Sequence, residues 1–134
     1  MVLLKSISTQ VLSQQPHLLD SAHILDVRTS AEWAYVGVPI APRVHFVEWI
    51  VFPDYTINQK FFEQLASLSL PFDEAIFIIC RSGVRSREAG QAMAGMGYVN
   101  LTNISDGFEG NLNTERQRGQ IDGWKNSGLP WRQS

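Results

Sequence analysis

The chain holds one cysteine, Cys80, and it opens the stretch Cys80-Arg81-Ser82-Gly83-Val84-Arg85-Ser86 directly after an apolar run over residues 75–80. A short apolar run rich in β-branched and aromatic residues reads as a buried strand, and the glycine-containing turn that follows leads into a helical period. Cys80 is thereby expected at a strand end, facing the start of a helix. The N–H groups of a tight loop and of a helix start are unsatisfied donors, so together they make an anion site. A thiol in that cradle, with Arg81, Arg85 and Arg87 close in sequence, favours its thiolate and is read as a nucleophile. The competing reading, a small buried hydrophobe, gives no reason for the abrupt change from apolar residues to Arg-Ser-Gly. The amides of residues 81–86 are the candidate donors around a sulfur anion. Arg81 and Arg85 are the candidate cations for an anionic substrate, and Arg87 is read as surface.

These residues need a scaffold, and the pattern around them supplies one. Short apolar runs alternate with helical periodicity, which predicts an α/β domain with a mainly parallel sheet. Residues 23–27 and 75–80 are the clearest strands, and their continuous apolarity predicts a sheet covered on both faces. Residues 44–46 and 99–101 are weaker strand candidates. A helix is expected over residues 58–68, with Asn58 as N-cap and Phe61, Phe62, Leu65 and Leu68 on one stripe. A second follows Cys80 from near Arg85, with Ala89, Ala92, Met93 and Met96 on its stripe and Gly97 as its stop. Short helices are also expected from Ser8 and over residues 29–34, where a Thr/Ser cap is followed by a carboxylate. Residues 109–123 are polar and without period, so they read as a long surface loop.

Composition bounds what this scaffold does. With 134 residues and 44% apolar content the chain fits one compact domain spanning 1–134. A net charge of −2 with scattered basic residues argues against a nucleic-acid partner. A single thiol excludes an internal disulfide and suits a reducing compartment, so a cytoplasmic location is expected. The first apolar stretch is too short for a signal-peptide core, and no run approaches the length of a membrane span. His17, His23 and His45 are not at a recognised ligand spacing, so neither a metal nor another cofactor is expected. His45 and Trp49 read as core, and Trp33, Trp49, Trp124 and Trp131 as packing anchors, with the C-terminal tail docking back on the domain.

Four stretches taken in order, Ile-Leu-Asp-Val-Arg-Thr-Ser-Ala-Glu-Trp from Ile24, Cys-Arg-Ser-Gly-Val-Arg-Ser from Cys80, residues 96–110 and the closing residues 123–131, resemble single-domain rhodanese-like sulfurtransferases. The resemblance implies an α/β rhodanese-like fold with a central parallel sheet of about five strands flanked by helices. It implies an activity as well: the loop cysteine, here Cys80, takes a sulfane sulfur from a donor such as thiosulfate, carries it as a persulfide, and passes it to cyanide or a thiol. An acceptor protein is a further partner the resemblance allows. Asp26 and Arg28 match the family's early Asp-Val-Arg element and are assigned a structural role first, because buried charges are usually paired. Asp106, Gly107 and Phe108 match a late segment near the catalytic loop, where the usual pattern begins with two glycines, so Asp106 is a departure. The stretch over residues 37–49 departs too, lacking the histidine many members carry.

Two other readings compete with sulfur transfer. A phosphatase or arsenate reductase on the same fold needs a Cys-x5-Arg loop whose arginine clamps a tetrahedral oxyanion. The spacing from Cys80 to Arg85 is Cys-x4-Arg, one residue short. A disulfide oxidoreductase needs a resolving cysteine that this chain lacks. An inactive rhodanese-like binding module is the remaining alternative, although such modules often lose the cysteine retained here.

Overall fold

A computed structural model of the protein describes residues 4–133. Residues 1–3 and 134, which belong to the N-terminal stretch and to the 1–134 unit considered from sequence, lie outside the described residues. The chain runs β1 (Lys5–Ile7), α1 (Thr9–Gln14), a 3-10 turn (Pro16–Leu19), β2 (His23–Asp26), α2 (Ser30–Tyr35), β3 (Val38–Pro39) and β4 (Val44–Phe46). It continues through β5 (Ile50–Val51), β6 (Thr56–Ile57), α3 (Phe61–Ser67), β7 (Ile76–Ile79), α4 (Val84–Gly95), β8 (Leu101–Ile104) and β9 (Trp131–Arg132).

Five of these strands form one sheet in the order β1-β8-β7-β2-β4, and every pairing in it is parallel. β2 and β7 lie inside the sheet and are buried at every position. That explains their unbroken apolarity: alternate side chains point to opposite faces, and both faces are covered. Leu25, Val27, Ile76, Ile78 and Cys80 pack on one side with Phe61 and Leu65 of α3 and Ala89 and Met93 of α4. Ile24, Phe77, Ile79 and Ile104 pack on the other with Leu12 of α1, Phe108, Trp124 and Leu129. The alternation therefore aims Cys80 at the face that carries α4.

Local signals set the helix ends. Ser8 caps α1 by accepting the Val11 N–H. Thr29 and Glu32 form a full capping box at the start of α2. α3 starts later than the sequence predicts: Lys60 occupies the cap position, and the Asn58 carboxamide oxygen accepts the Lys60 N–H instead. Phe62 does not share the buried stripe but lies 43% exposed. β8 likewise begins at Leu101, because Val99 is exposed and its N–H bonds to Phe72 O rather than joining the sheet. β1 is absent from the sequence reading, since three residues, two of them exposed, carry no usable period.

The C-terminal tail docks as expected. β9 pairs antiparallel with β3, and the fully buried Trp124 donates its indole N–H to Pro130 O. Trp49 and Trp124 are core residues, whereas Trp131 is 38% exposed and lies under the Lys125 ammonium. Residues 109–123 form neither helix nor strand. Their shape is fixed by Asp122, which accepts from the Asn111 backbone and side chain, and by Arg118, which donates to Gly110 O.

Candidate active site

Cys80 follows the last residue of β7, and Gly83 stands at the N-cap of α4. Between them the chain turns tightly enough for the Gly83 N–H to donate to Cys80 Sγ at 3.1 Å. The turn requires glycine on two counts. Gly83 has φ of 104°, and a Cβ there would lie 2.1 Å from Ser105 O. The N–H groups of Val84, Arg85 and Ser86 occupy the first turn of α4, where no carbonyl of the helix can accept them. Ser86 Oγ lies 3.2 Å from Cys80 Sγ and also donates to Asn103 Oδ1, while the Asn103 amide donates to Gly83 O. Cys80 itself is 1% exposed, at the floor of a cleft of about 300 Å3 lined also by Arg81, Ser82, Val84 and Arg85. A larger cleft of about 740 Å3, between Ser8, Asp106 and Asp122, does not include the thiol.

The loop is held from outside by the segment that follows β8. Cys80 O accepts the Phe108 N–H, and Arg81 O accepts those of Glu109 and Gly110. Such an approach leaves no room for a side chain at Gly107, where a Cβ would lie 2.4 Å from Arg81 O and 2.6 Å from Cys80 O. With these carbonyls tied outward, the Cys80 side chain and the α4 start face each other. Asp106 explains its own presence: it accepts from the Thr9 N–H, the Thr9 hydroxyl and the Gly123 N–H. It thus fastens α1 and the C-terminal segment to the strap over the loop.

Two ion pairs frame the site. Asp26 and Arg28, both fully buried, form a bidentate pair one strand away from Cys80, and Arg28 also donates to Gly37 O. The Arg28 guanidinium stacks on the Phe108 ring at 4.2 Å, so this pair buttresses the strap. The second pair joins Arg85 to Glu32, with contacts of 2.7 and 2.9 Å. Burial pushes the Glu32 carboxyl up, but the Arg85 hydrogen bonds and charge, helped by Thr29, hold it below its ordinary value of 4.5. Burial pulls Arg85 down, and Glu32, with smaller contributions from Cys80 and Asp26, raises it on balance.

A pH dependence follows from that sign. A carboxyl whose folded value lies below its unfolded one stabilises the fold above about 4.5, and this contribution disappears as pH falls through the folded value. Glu32→Gln is therefore expected to lower the urea midpoint at pH 7, and the gap from wild type to close as pH drops below 4.5. A gap independent of pH would show that the Glu32 carboxylate contributes no charge-based stability.

The structure thus brings Cys80, Ser82, Val84 and Arg85 to one cleft, with Gly83 and Ser86 against the thiol beneath it. Arg81 is exposed at its rim, and Arg87 is exposed on α4. Asp26, Arg28, Asp106 and Gly107 lie behind the loop rather than in the cleft. Sequence reasoning missed Asn103 and the second role of Glu32. The signal for the first was a lone amide in a buried strand, and for the second nothing beyond a capping-box carboxylate. His45 sits against His23, 3.0 Å from its Nδ1, in β4 at the sheet edge.

The model of the rhodanese-like domain matches residues 10–113 of this sequence. The chain belongs to the rhodanese-like family. An uncharacterized protein of Rickettsia prowazekii is 41% identical over 115 residues, covering 85% of each chain. Thiosulfate sulfurtransferase 18 of Arabidopsis thaliana is 35% identical over 99 residues, covering 72% of each. Among solved structures, the crystal structure of Rv0390 from M. tuberculosis superposes with a TM-score of 0.80 and 37% identity, covering 97% of this chain and 98% of that one. The rhodanese-like fold expected from the resemblance, a five-stranded parallel sheet with helices on its faces, is the fold observed. At the level of the family this is a sulfurtransferase architecture.

Proposed function

We propose that this rhodanese-like protein moves a sulfane sulfur from an anionic donor of the thiosulfate class to cyanide or a thiol through a persulfide on Cys80. The observation that carries the reading is the placement of Cys80 Sγ. It accepts the Gly83 N–H at 3.1 Å and faces the free amides of the α4 start, a cradle suited to a sulfur anion. In the first half-reaction the Cys80 thiolate attacks the outer sulfur of thiosulfate. The bond between the two donor sulfurs breaks, its electron pair leaves with sulfite, and Cys80 retains the transferred sulfur as a persulfide anion. In the second, the acceptor attacks that outer sulfur and the electron pair of the broken bond returns to Cys80 as thiolate. With cyanide the product is thiocyanate.

Donor hydrogen bonds placed in advance around a developing anion are the strongest contribution such a site can make. The amides of residues 82–86 supply them, with Arg81 at the rim as the cation for the donor. Arg85, balanced by Glu32, orders the loop as much as it attracts charge. The Cys-x4-Arg spacing is one residue short, and Arg85 is engaged by Glu32 rather than turned to clamp a phosphoryl group bidentately, which disfavours phosphatase chemistry. Among the described residues, no helix is long and apolar enough to cross a membrane. A free buried thiol further suits the reducing conditions of the cytoplasm.

Intact-protein mass spectrometry after brief incubation with thiosulfate tests the reading. The expected result is a gain of one sulfur atom that cyanide removes as thiocyanate. No gain, with Cys80 open to an alkylating reagent, would reject thiosulfate-class donors and favour the binding-module reading.

A further inference from the structure

We infer that the cleft beside the catalytic loop seats the body of the acceptor, and that this acceptor is an apolar thiol carrying an anionic group such as a carboxylate. The inference rests on the Cys80 persulfide reading and assigns it an acceptor class.

The cleft encloses about 420 Å3 and is lined by Ile50, Phe52 and Tyr55 together with Glu32, Arg81 and Arg85. Arg81 and Arg85 also line the cleft that holds Cys80, so the two spaces adjoin at these residues. Phe52 and Tyr55 belong to the turn between β5 and β6, and their rings meet edge to face at 5.7 Å. They are 70% and 65% exposed, so neither contributes to a core. A single exposed aromatic needs no explanation. Two on one hairpin, in a cleft shared with a half-buried Ile50 and two guanidinium groups, form the apolar wall of a small-molecule site, which characteristically pairs such a wall with a few polar groups.

Charge decides what fits. Glu32, the carboxylate in this cleft, is consumed by two hydrogen bonds from Arg85 and by its contacts to Thr29. Arg81 is exposed and joins no ion pair among the described residues. An uncompensated cation thus lines the same cleft as the aromatic pair, and it attracts an anion. Cyanide and thiosulfate would leave the aromatic wall unused. An apolar thiol with a carboxylate would use both: its body lies on Phe52 and Tyr55, its carboxylate meets Arg81, and its sulfur reaches the loop. The acceptor thiolate then attacks the outer sulfur of the Cys80 persulfide. A new bond joins the two sulfurs, the bond to Cys80 breaks, and Cys80 leaves as thiolate while the acceptor becomes a persulfide.

The full chain, charged with thiosulfate, is assayed with cyanide, para-mercaptobenzoate and para-mercaptobenzyl alcohol. The mercaptobenzoate is expected to give the higher kcat/KM of the two thiols. The double variant Phe52→Ala, Tyr55→Ala is expected to lose about tenfold in kcat/KM for mercaptobenzoate while cyanide turnover stays within about twofold. Both positions are exposed, so folding is not at stake. An equal loss for cyanide, or none for mercaptobenzoate, overturns the inference and leaves the cleft to another occupant such as an acceptor protein. Binding is read separately by protection of Cys80 from iodoacetamide. Benzoate should slow alkylation of the wild type and not of the double variant, whether or not sulfur is transferred. Failure of cyanide turnover alone would overturn the persulfide reading, whereas absence of benzoate protection would overturn the acceptor site.

Discussion

Cys80→Ser is expected to abolish sulfur transfer, lowering turnover by at least about a thousandfold, while leaving the melting temperature within a few degrees of wild type. The chemistry argues the first half. A serine oxygen at this position can accept the Gly83 N–H, but it is neither ionised near neutrality nor able to carry a sulfane sulfur as a stable leaving partner. The packing argues the second half. Serine is slightly smaller than cysteine, and its hydroxyl finds Gly83 N–H and Ser86 Oγ already within reach, so no buried polar atom is stranded. The measurement is thiocyanate release from thiosulfate and cyanide, alongside a thermal melt of the same sample. Turnover in the serine variant at the wild-type rate would eliminate Cys80 as the carrier. Equal silence of wild type and variant would instead assign the domain to binding, since the cradle would then hold an anion without transforming it.

The loop, its nucleophile and the helix behind it were legible in the sequence because each is local. The apolar run of β7, the Gly83 turn and the period of α4 occupy neighbouring residues, so propensity and spacing suffice to place Cys80. What the sequence hid is long-range. Arg85 reads as a cation awaiting an anion, and only the fold shows that Glu32, 53 residues earlier, occupies its guanidinium. Asp106 reads as an intruder in a glycine pair, yet its partner Thr9 lies 97 residues away. Its carboxylate faces the N-terminal helix, so the substitution changes how the strap is anchored rather than the lining of the Cys80 cleft. Asn58 shows the opposite failure. A polar residue before an apolar stripe resembles a cap, but its carboxamide also bonds to Glu48 O and Gln64, and with that tertiary network the cap falls at Lys60 and the helix starts at Phe61.

Asp26→Ala is expected to destabilise the domain by about 3–5 kcal/mol, a large share of the roughly 5–15 kcal/mol typical of a whole domain. Both members of the Asp26–Arg28 pair have side chains fully removed from solvent, so the variant would strand a guanidinium in the core. Arg28 has little to fall back on. Its Nη1 has no hydrogen-bond partner among the described residues, and its remaining contacts are Gly37 O and the Phe108 ring. The loss reaches the site, because Asp26 pairs with Ile79 next to Cys80, and Phe108 holds Cys80 O through its own N–H. The double variant Asp26→Leu, Arg28→Leu removes both charges and should recover much of the stability, since desolvating an ion pair costs nearly as much as the pair returns. Urea midpoints of wild type, single and double variants check this. If the double variant were as unstable as the single, the cost would lie in the lost contacts to Gly37 and Phe108 rather than in the stranded charge. Arg28 would then act as the brace between the second strand and the strap, with Asp26 merely neutralising it.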